Sequence, residues 1–597
     1  MYKAAILTLF PFLLFLLPSP LRGQSGDWFN DPGDYAFQGK GSSSSPYLIS
    51  SVSSLVHLAE RVNKWHGENF KGICFKLTAN LDLGEHYWIP IGCESEQTFC
   101  GTFDGNGKTI RNLYIGEDDA DNPFSASALF GNLGNGAQIT NLTIEGGHIY
   151  GGGRDTISRA ASLAAHVYCH VSENTDDSII IRNCHNHNVD ITGGHLATSI
   201  AGGLIGETYA FSEGPGQALI LIDTCSNTGM VTGAAANHTI AGGIAGKSTA
   251  YAISDRQSPA SAACHILSCY NQAPVKGATA QRPSAITAAG GILGYSSGSG
   301  SSNNIEDDSS GSITIQYCMN TGSITGGAAL APNASTFAGG LTACAYTYAY
   351  GNAGGKGFLQ INASANRGRI ESGLACDPAA TSCIGGLAGL CAASVSGPTH
   401  DPADTGSHSI LDVADCYNYS ILASKGGAAG GLIGCIETTG NTMNRHATAL
   451  LINSYAAGAI TNHPDAPVPS PAGGLVGQVR QANPISNPPT IINNLAYLHA
   501  LRGDAEHTNR IVGEIKDAPT SAIQQIHTQN YAHIRQSHAS PPDSPANGQD
   551  WAQSLHRPPI STWDFKNHTW LLVDDPTAMP LLNHLPGQTL IKIGSTY

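Results

Sequence analysis

From about residue 198 onward the chain repeats one pattern. Apolar residues alternate with small or polar ones over four to six positions, then break at Asn-Gly, Gly-Gly or Thr-Gly. Alternation of period two, bounded by turn dipeptides, predicts short β-strands rather than helices. Two phrases punctuate it. GG-[L/I]-x-G and its close variants start at Gly202, Gly242, Gly290, Gly339, Gly385, Gly430 and Gly473, in steps of 40, 48, 49, 46, 45 and 43 residues. Between them, Cys184, Cys225, Cys269, Cys318 and Cys416 open phrases such as CSNTGMVTG and CMNTGSITG. Fixed phrases at variable steps indicate a repeating core whose loops absorb the differences.

Each period then holds two strand-bearing units of roughly 20 residues or more, one per phrase. A parallel β-helix with one coil per unit fits this, giving about sixteen coils and a rod roughly 80 Å long at the usual strand spacing. A propeller of four-stranded blades, which also repeats at about 40–50 residues, is the alternative. The repeat glycines are Gly202, Gly203 and Gly206, then Gly242, Gly243 and Gly246, and Gly290, Gly291 and Gly294. Gly385, Gly386 and Gly389, then Gly430, Gly431 and Gly434, and Gly473, Gly474 and Gly477 continue the series. They are expected to supply positive φ and close approach between coils, while Leu204, Ile244, Ile292, Leu341, Leu387, Leu432 and Leu475 point inward as a ladder. The copy at 158–173 carries Ala161, Ser162 and Ala165 in the glycine places, and Ala343 replaces a third glycine.

Composition agrees with an array. The chain has 597 residues, only 12% of them charged, and 71 glycines, which suits short strands and tight turns. A net charge of −15 argues against nucleic acid or an anionic membrane as partner. Residues 1–23 read as a secretory signal: Lys3, an apolar run from Ala4 to Leu17, then Pro18, Pro20 and Gly23. No later apolar run is long enough for a membrane span. Fifteen cysteines in an exported chain suggest disulfides. Those locked to the repeat phase read instead as small apolar fillers, leaving Cys93 with Cys100 and Cys376 with Cys383 as the candidate bridges.

The glycine phrases resemble the GLUG-motif repeats of exported and surface proteins of bacteria, including the non-catalytic repeat region of some immunoglobulin A proteases. The resemblance runs from SPYLISSVSSLVHLAERVNKWHGENFKGICFKLTANLDLGEHYWIPIG (45–92), through FCGTFDGNGKTIRNLYI (99–115) and ALFGNLGNGAQITNLTI (128–144), to TWDFKNHTWLLVDDPTAMPLLN (562–583). It implies a right-handed parallel β-helix and, for several members, an adhesin-like role. The divisions that follow are a signal at 1–23, an arm at 24–44, a cap with first coils at 45–150, repeats at 151–515, a Pro-rich linker at 516–549 and a C-terminal cap at 550–597. Within the first module Ser50 or Ser51 can cap a short helix whose Val52, Leu55, Leu58, Ala59 and Val62 share a face and cover the end of the first coil. Trp563 and Trp570 are expected to plug the other end.

Parallel β-helices are often polysaccharide lyases or hydrolases, which need paired carboxylates or an acidic Ca²⁺ site. Acidic residues are scarce and out of phase here. Asp307 and Asp308 read as loop residues, Asp104 as a turn-former, and His185 and His187 as exposed polar residues facing away from Cys184. No H-E-x-x-H occurs, and no metal or cofactor is required by any motif. The sharper candidate is a stripe of rings three and five places after the third glycine: Tyr168, Tyr209, Phe211, Tyr251, Tyr346 and Tyr348. Their parity is opposite to the inward aliphatics, so they face outward, either as a binding surface for sugar rings or protein, or covered by long loops as a second small core. The expected protein is a non-enzymatic, monomeric, exported rod that binds carbohydrate or an extracellular protein. A polysaccharide-active enzyme and a purely structural spacer are the alternatives.

Overall fold

The computed structural model describes most of residues 36–516, apart from short internal stretches, together with 530–533, 549–551, 570–571 and a few positions from 579 to 588. The expected signal segment, Asp307, Cys376, Trp563 and most of the Pro-rich segment lie outside the described residues.

Successive repeats stack as parallel strands. One ten-stranded sheet carries Thr198–Gly202, His238–Gly242, Ile286–Gly290, Ser335–Gly339 and Thr381–Gly385, paired glycine to glycine. A second ten-stranded sheet carries Ile205–Glu213, Ala245–Ser254, Leu293–Ser302, Thr342–Gly351 and Ala388–Ser396. The largest sheet holds the C-x-N strands and continues back through the N-terminal module. Parallel pairing between equivalent strands of neighbouring repeats is the β-helix and excludes the propeller.

The coil count differs from the expectation. Gly202 pairs directly with Gly242, so a whole period of 40 or more residues makes one coil, not two. The glycine phrase and the C-x-N phrase lie on different sheets of the same turn, and the sequence period is therefore a circumference. Among the described residues fourteen layers can be followed through the largest sheet, from Tyr47–Ile49 to Gln549–Trp551, and they span roughly 60 Å at the usual strand spacing, a shorter and broader rod.

That broad coil has two regions. Leu204, Ile244, Ile292, Leu341, Leu387, Leu432 and Leu475 are buried in one continuous aliphatic core. Further along the same core the second sheet folds back on the largest one with mostly small residues between, among them Ala210, Ala218, Ala250 and Ala262. A Cβ on Gly298 would stand 2.2 Å from the Phe358 carbonyl oxygen, and one on Gly311 2.1 Å from that of Ser299. The Gly, Ala and Ser content is the price of two sheets in near contact.

The repeat glycines do not adopt positive φ. Close approach is the whole reason for them: a Cβ on Gly202 would lie 1.7 Å from the Ile205 carbonyl oxygen, and one on Gly243 would lie 2.0 Å from that of Gly291 and 2.4 Å from Asn271 Cγ. Positive φ falls just before the C-x-N strands, at Asn183, Thr224, Ser268, Tyr317, Ala363, Asp415, Asn453 and Asn493. Behind each of five of these bends sits a repeat-phase cysteine. Cys184, Cys225, Cys269, Cys318 and Cys416 are buried free thiols, each directing Sγ to the carbonyl two residues earlier at 3.1–3.4 Å. Two residues further on, Asn186, Asn227, Asn271, Asn320, Asn366 and Asn418 form a buried ladder, each Nδ2 donating to the next Oδ1 at 2.8–2.9 Å.

Other local expectations resolve as follows. Cys93 and Cys100 are free thiols, and so is Cys383; Cys93 instead directs its Sγ to Gln97 Oε1 at 3.2 Å. The degenerate copy keeps its register, with Ala161 opposite Gly202, and Ser162 Oγ donates to the Gly203 carbonyl at 2.6 Å. The helix Val52–Asn63 is capped by Ser51, with Ser54 completing a capping box, and buries Leu55, Val56, Leu58, Ala59 and Val62 in the core. Trp570 does not plug an end. It lies on the flank, packed with Met579, Leu582 and Leu585 against Tyr417 and Tyr455.

Candidate ligand-binding site

The first and second sheets meet at the glycine phrase, and their outward side chains face one another across the angle. Where those side chains are apolar they fill it: Phe337 and Cys383 from the first sheet pack with Cys344, Leu390 and Cys435 from the second. In the earliest repeats the same positions hold Arg159, His166, Glu207 and Lys247, and there a pocket of about 380 Å³ remains, lined by Arg159, His166, Tyr168, Glu207, Tyr209 and Phe211.

Glu207 is the hub. Arg159 Nε donates to its Oε2 at 2.6 Å and Lys247 Nζ to its Oε1 at 2.8 Å. Burial alone would raise the pKa of this carboxyl, which is 3% exposed, but the charges of Arg159 and Lys247 outweigh it and hold the pKa at about 2. His166, one coil away and in register with Glu207, is pulled down to about 4, by burial first and by the Arg159 charge second. It is a neutral imidazole at neutral pH.

Beside this network the rings form a mat on the second sheet. Tyr168 and Tyr209 are 5.7 Å apart, Phe211 stacks on His170 at 5.0 Å and on Tyr251 at 5.7 Å, and Tyr168 stacks on His166 at 5.9 Å. All are half-buried. Of the six stripe residues, Tyr168, Tyr209, Phe211 and Tyr251 are therefore brought together. Tyr346 and Tyr348 are not, because Ser297 and Ser299 occupy the intervening coil. Tyr346 stacks on Tyr295 at 5.2 Å beside the apolar angle, while Tyr348, 38% exposed, bonds its hydroxyl to Ser396.

Elsewhere His185 bonds Ser226 and Asn183, His187 faces Glu145, and Asp308 pairs with Lys356 at 2.7 Å. Among the described residues no group of three or more His, Cys, Asp or Glu is placed to hold a metal ion, and no helix is long and apolar enough to cross a membrane.

No protein-family model matches the chain. A stretch of 124 residues, 19% of this chain, is 32% identical to halomucin of Haloquadratum walsbyi and spans 1% of that protein. Among solved structures, a putative immunoglobulin A1 protease from Bacteroides ovatus shares 15% identity with a TM-score of 0.33, over 68% of this chain and 86% of that one. A second, named IgA1 protease, shares 11% with a TM-score of 0.27, over 68% of this chain and 21% of that one. Likenesses this distant transfer no residue roles, and the site stands on its own geometry.

Arg159, His166, Glu207 and Lys247 were outside the sequence expectation. The readable signal was the column one place after the third glycine, where Glu207 and Lys247 carry opposite charges in register. Arg159 lies on the other sheet, and only the fold brings it to Glu207.

Proposed function

We propose that the protein is an exported, surface-associated binding rod that holds carbohydrate on the ring mat and in the adjoining pocket. The observation that carries this reading is the contiguity of half-exposed rings with a fixed, desolvated polar cluster in a pocket of ligand size. Ring faces stack on the apolar faces of sugars, and the buried polar groups fix orientation.

The polysaccharide-active alternative is less well supported. A glycosidase needs one carboxyl that stays protonated and a second across the bond. Glu207, held at about 2 between two cations, stays ionised, and no second carboxylate lines this pocket among the described residues. The Tyr168 and Tyr209 phenols have pKa values raised by burial and remain protonated.

The test is a glycan array probed with the purified chain and with a Tyr209→Ala, Phe211→Ala double variant whose melting temperature is checked alongside. Loss of about tenfold in affinity for a bound glycan, with folding retained, is expected. Binding untouched by the double substitution would refute the assignment of this surface.

A further inference from the structure

The pocket is not electrically neutral. Arg159 in its lining and Lys247, which reaches Glu207 from the next coil without lining the pocket itself, bring two positive charges to the cluster, Glu207 returns one negative charge, and His166 is uncharged at neutral pH. One positive charge is left over, in a chain whose net charge is −15. The excess sits on side chains that are largely out of water, 18% exposed for Arg159 and 27% for Lys247, where an uncompensated cation is unfavourable. Arg159 commits only Nε to Glu207. Its two terminal nitrogens make no hydrogen bond among the described residues, and together they offer the planar fork that suits a carboxylate or sulfate.

The pocket also contains an oriented uncharged acceptor. The Asn132 amide donates from Nδ2 to the Gly92 carbonyl at 2.7 Å and to the Glu94 carbonyl at 3.1 Å, which fixes Oδ1 as the atom facing His166 Nδ1 at 3.3 Å. Nδ1 therefore carries the proton. Nε2 is left as a bare acceptor in the pocket, where the other acceptor, the Glu207 carboxylate, is already engaged by Arg159 and Lys247, and it suits a hydroxyl that donates.

We infer that the ligand of this site is an anionic sugar, with its carboxylate or sulfate on Arg159 and Lys247, a hydroxyl donating to His166 Nε2, and a ring face on Tyr209 or Phe211. Its occupant thus completes the charge balance that Glu207 leaves unfinished. The inference rests on the carbohydrate reading and narrows it. Lys247 comes from the coil after Glu207 and Arg159 from the other sheet, so the anion seat spans both sheets at the angle, whereas the ring mat lies on one.

The test is calorimetric titration of the purified chain with sets of three oligosaccharides that differ only at C6: neutral hexose, the corresponding uronate, and the 6-sulfate. Binding of the uronate or the sulfate about tenfold tighter than the neutral sugar is expected. The preference should shrink at high salt, and the stronger anion identifies the natural group. In Lys247→Met the preference should fall about tenfold, and in Lys247→Arg it should persist. Because Lys247→Met could disturb Glu207, a melting curve accompanies each variant, and retention in Lys247→Arg guards against a folding artefact. Equal binding of neutral and anionic sugars would overturn the inference and leave the carbohydrate reading standing. Absence of binding to every member would remove both.

Discussion

Asn271 accepts from Asn227 and donates to Asn320, and all three side chains are buried. Replacing it with alanine orphans a donor above and an acceptor below, so Asn271→Ala should cost about 1–3 kcal/mol in urea unfolding. The asparagine of each C-x-N phrase is visible in the sequence, but its bonds run between coils, and single-phrase reading cannot show them. The cysteine beside it was legible as a filler because a residue type locked to a repeat phase must face the same environment each time. His166 supplies a second expectation. Its folded pKa of about 4 lies below the ordinary 6.5, so the unfolded chain binds more protons between those values, and stability must fall as pH drops from 6.5 to 4 and level off below. Partial exposure limits the effect to roughly 1–2 kcal/mol. Denaturant midpoints across that range should show it, and a His166→Gln variant should lose it. Glu207 acts separately: its depressed pKa of about 2 stabilises above the unfolded carboxyl range, and that contribution disappears only as pH falls toward 2.

At the scale of the strand, the left-handed bend before each C-x-N phrase is built by whatever residue occupies it. Asn183, Asn453 and Asn493 suit that conformation, whereas the β-branched Thr224, at φ 56°, does not. Thr224→Asn should therefore raise stability by about 0.5–1 kcal/mol, measured by chemical denaturation; an unchanged midpoint would mean that the Thr224 Oγ1 bond to Asp223 Oδ1, 2.9 Å long, already offsets the strain. Where the second sheet folds back on the largest one, the demand is the opposite. Gly298→Val would push a side chain into the Phe358 carbonyl and should cost about 3 kcal/mol or more. Ser299→Val, one place along and facing outward, should leave the melting temperature nearly unchanged. These two regions explain how the strand pattern could be right while the coil count was wrong. Period-two alternation reports which face a residue takes, and it is silent on how many strands make one turn. The same silence hid Arg159: its sheet was legible as a strand, but its angle to the next sheet was not.

For the molecule as a whole, each coil of a solenoid is held by its neighbours, so removing something that lies along the side should not unzip the stack. The segment around Trp570 tests this. Its ring lies 5.8 Å from Tyr455, and Nε1 donates to Asp415 Oδ1 at 3.0 Å, at one of the left-handed bends. Tyr417 and Tyr455 stack at 5.1 Å beneath this cover and belong to a cluster distinct from the main core. Trp570→Ala should weaken docking of the segment by about 3–5 kcal/mol, the usual cost of truncating a buried tryptophan. The main melting transition should move little, because the aliphatic core and the asparagine ladder make no use of Trp570. Limited proteolysis should then cut the variant on the C-terminal side of residue 551 and leave the stacked coils as one resistant fragment. If the whole chain is degraded together, or the main transition collapses with the substitution, the flank is part of the cooperative unit and the rod requires its side cover as much as its neighbouring coils.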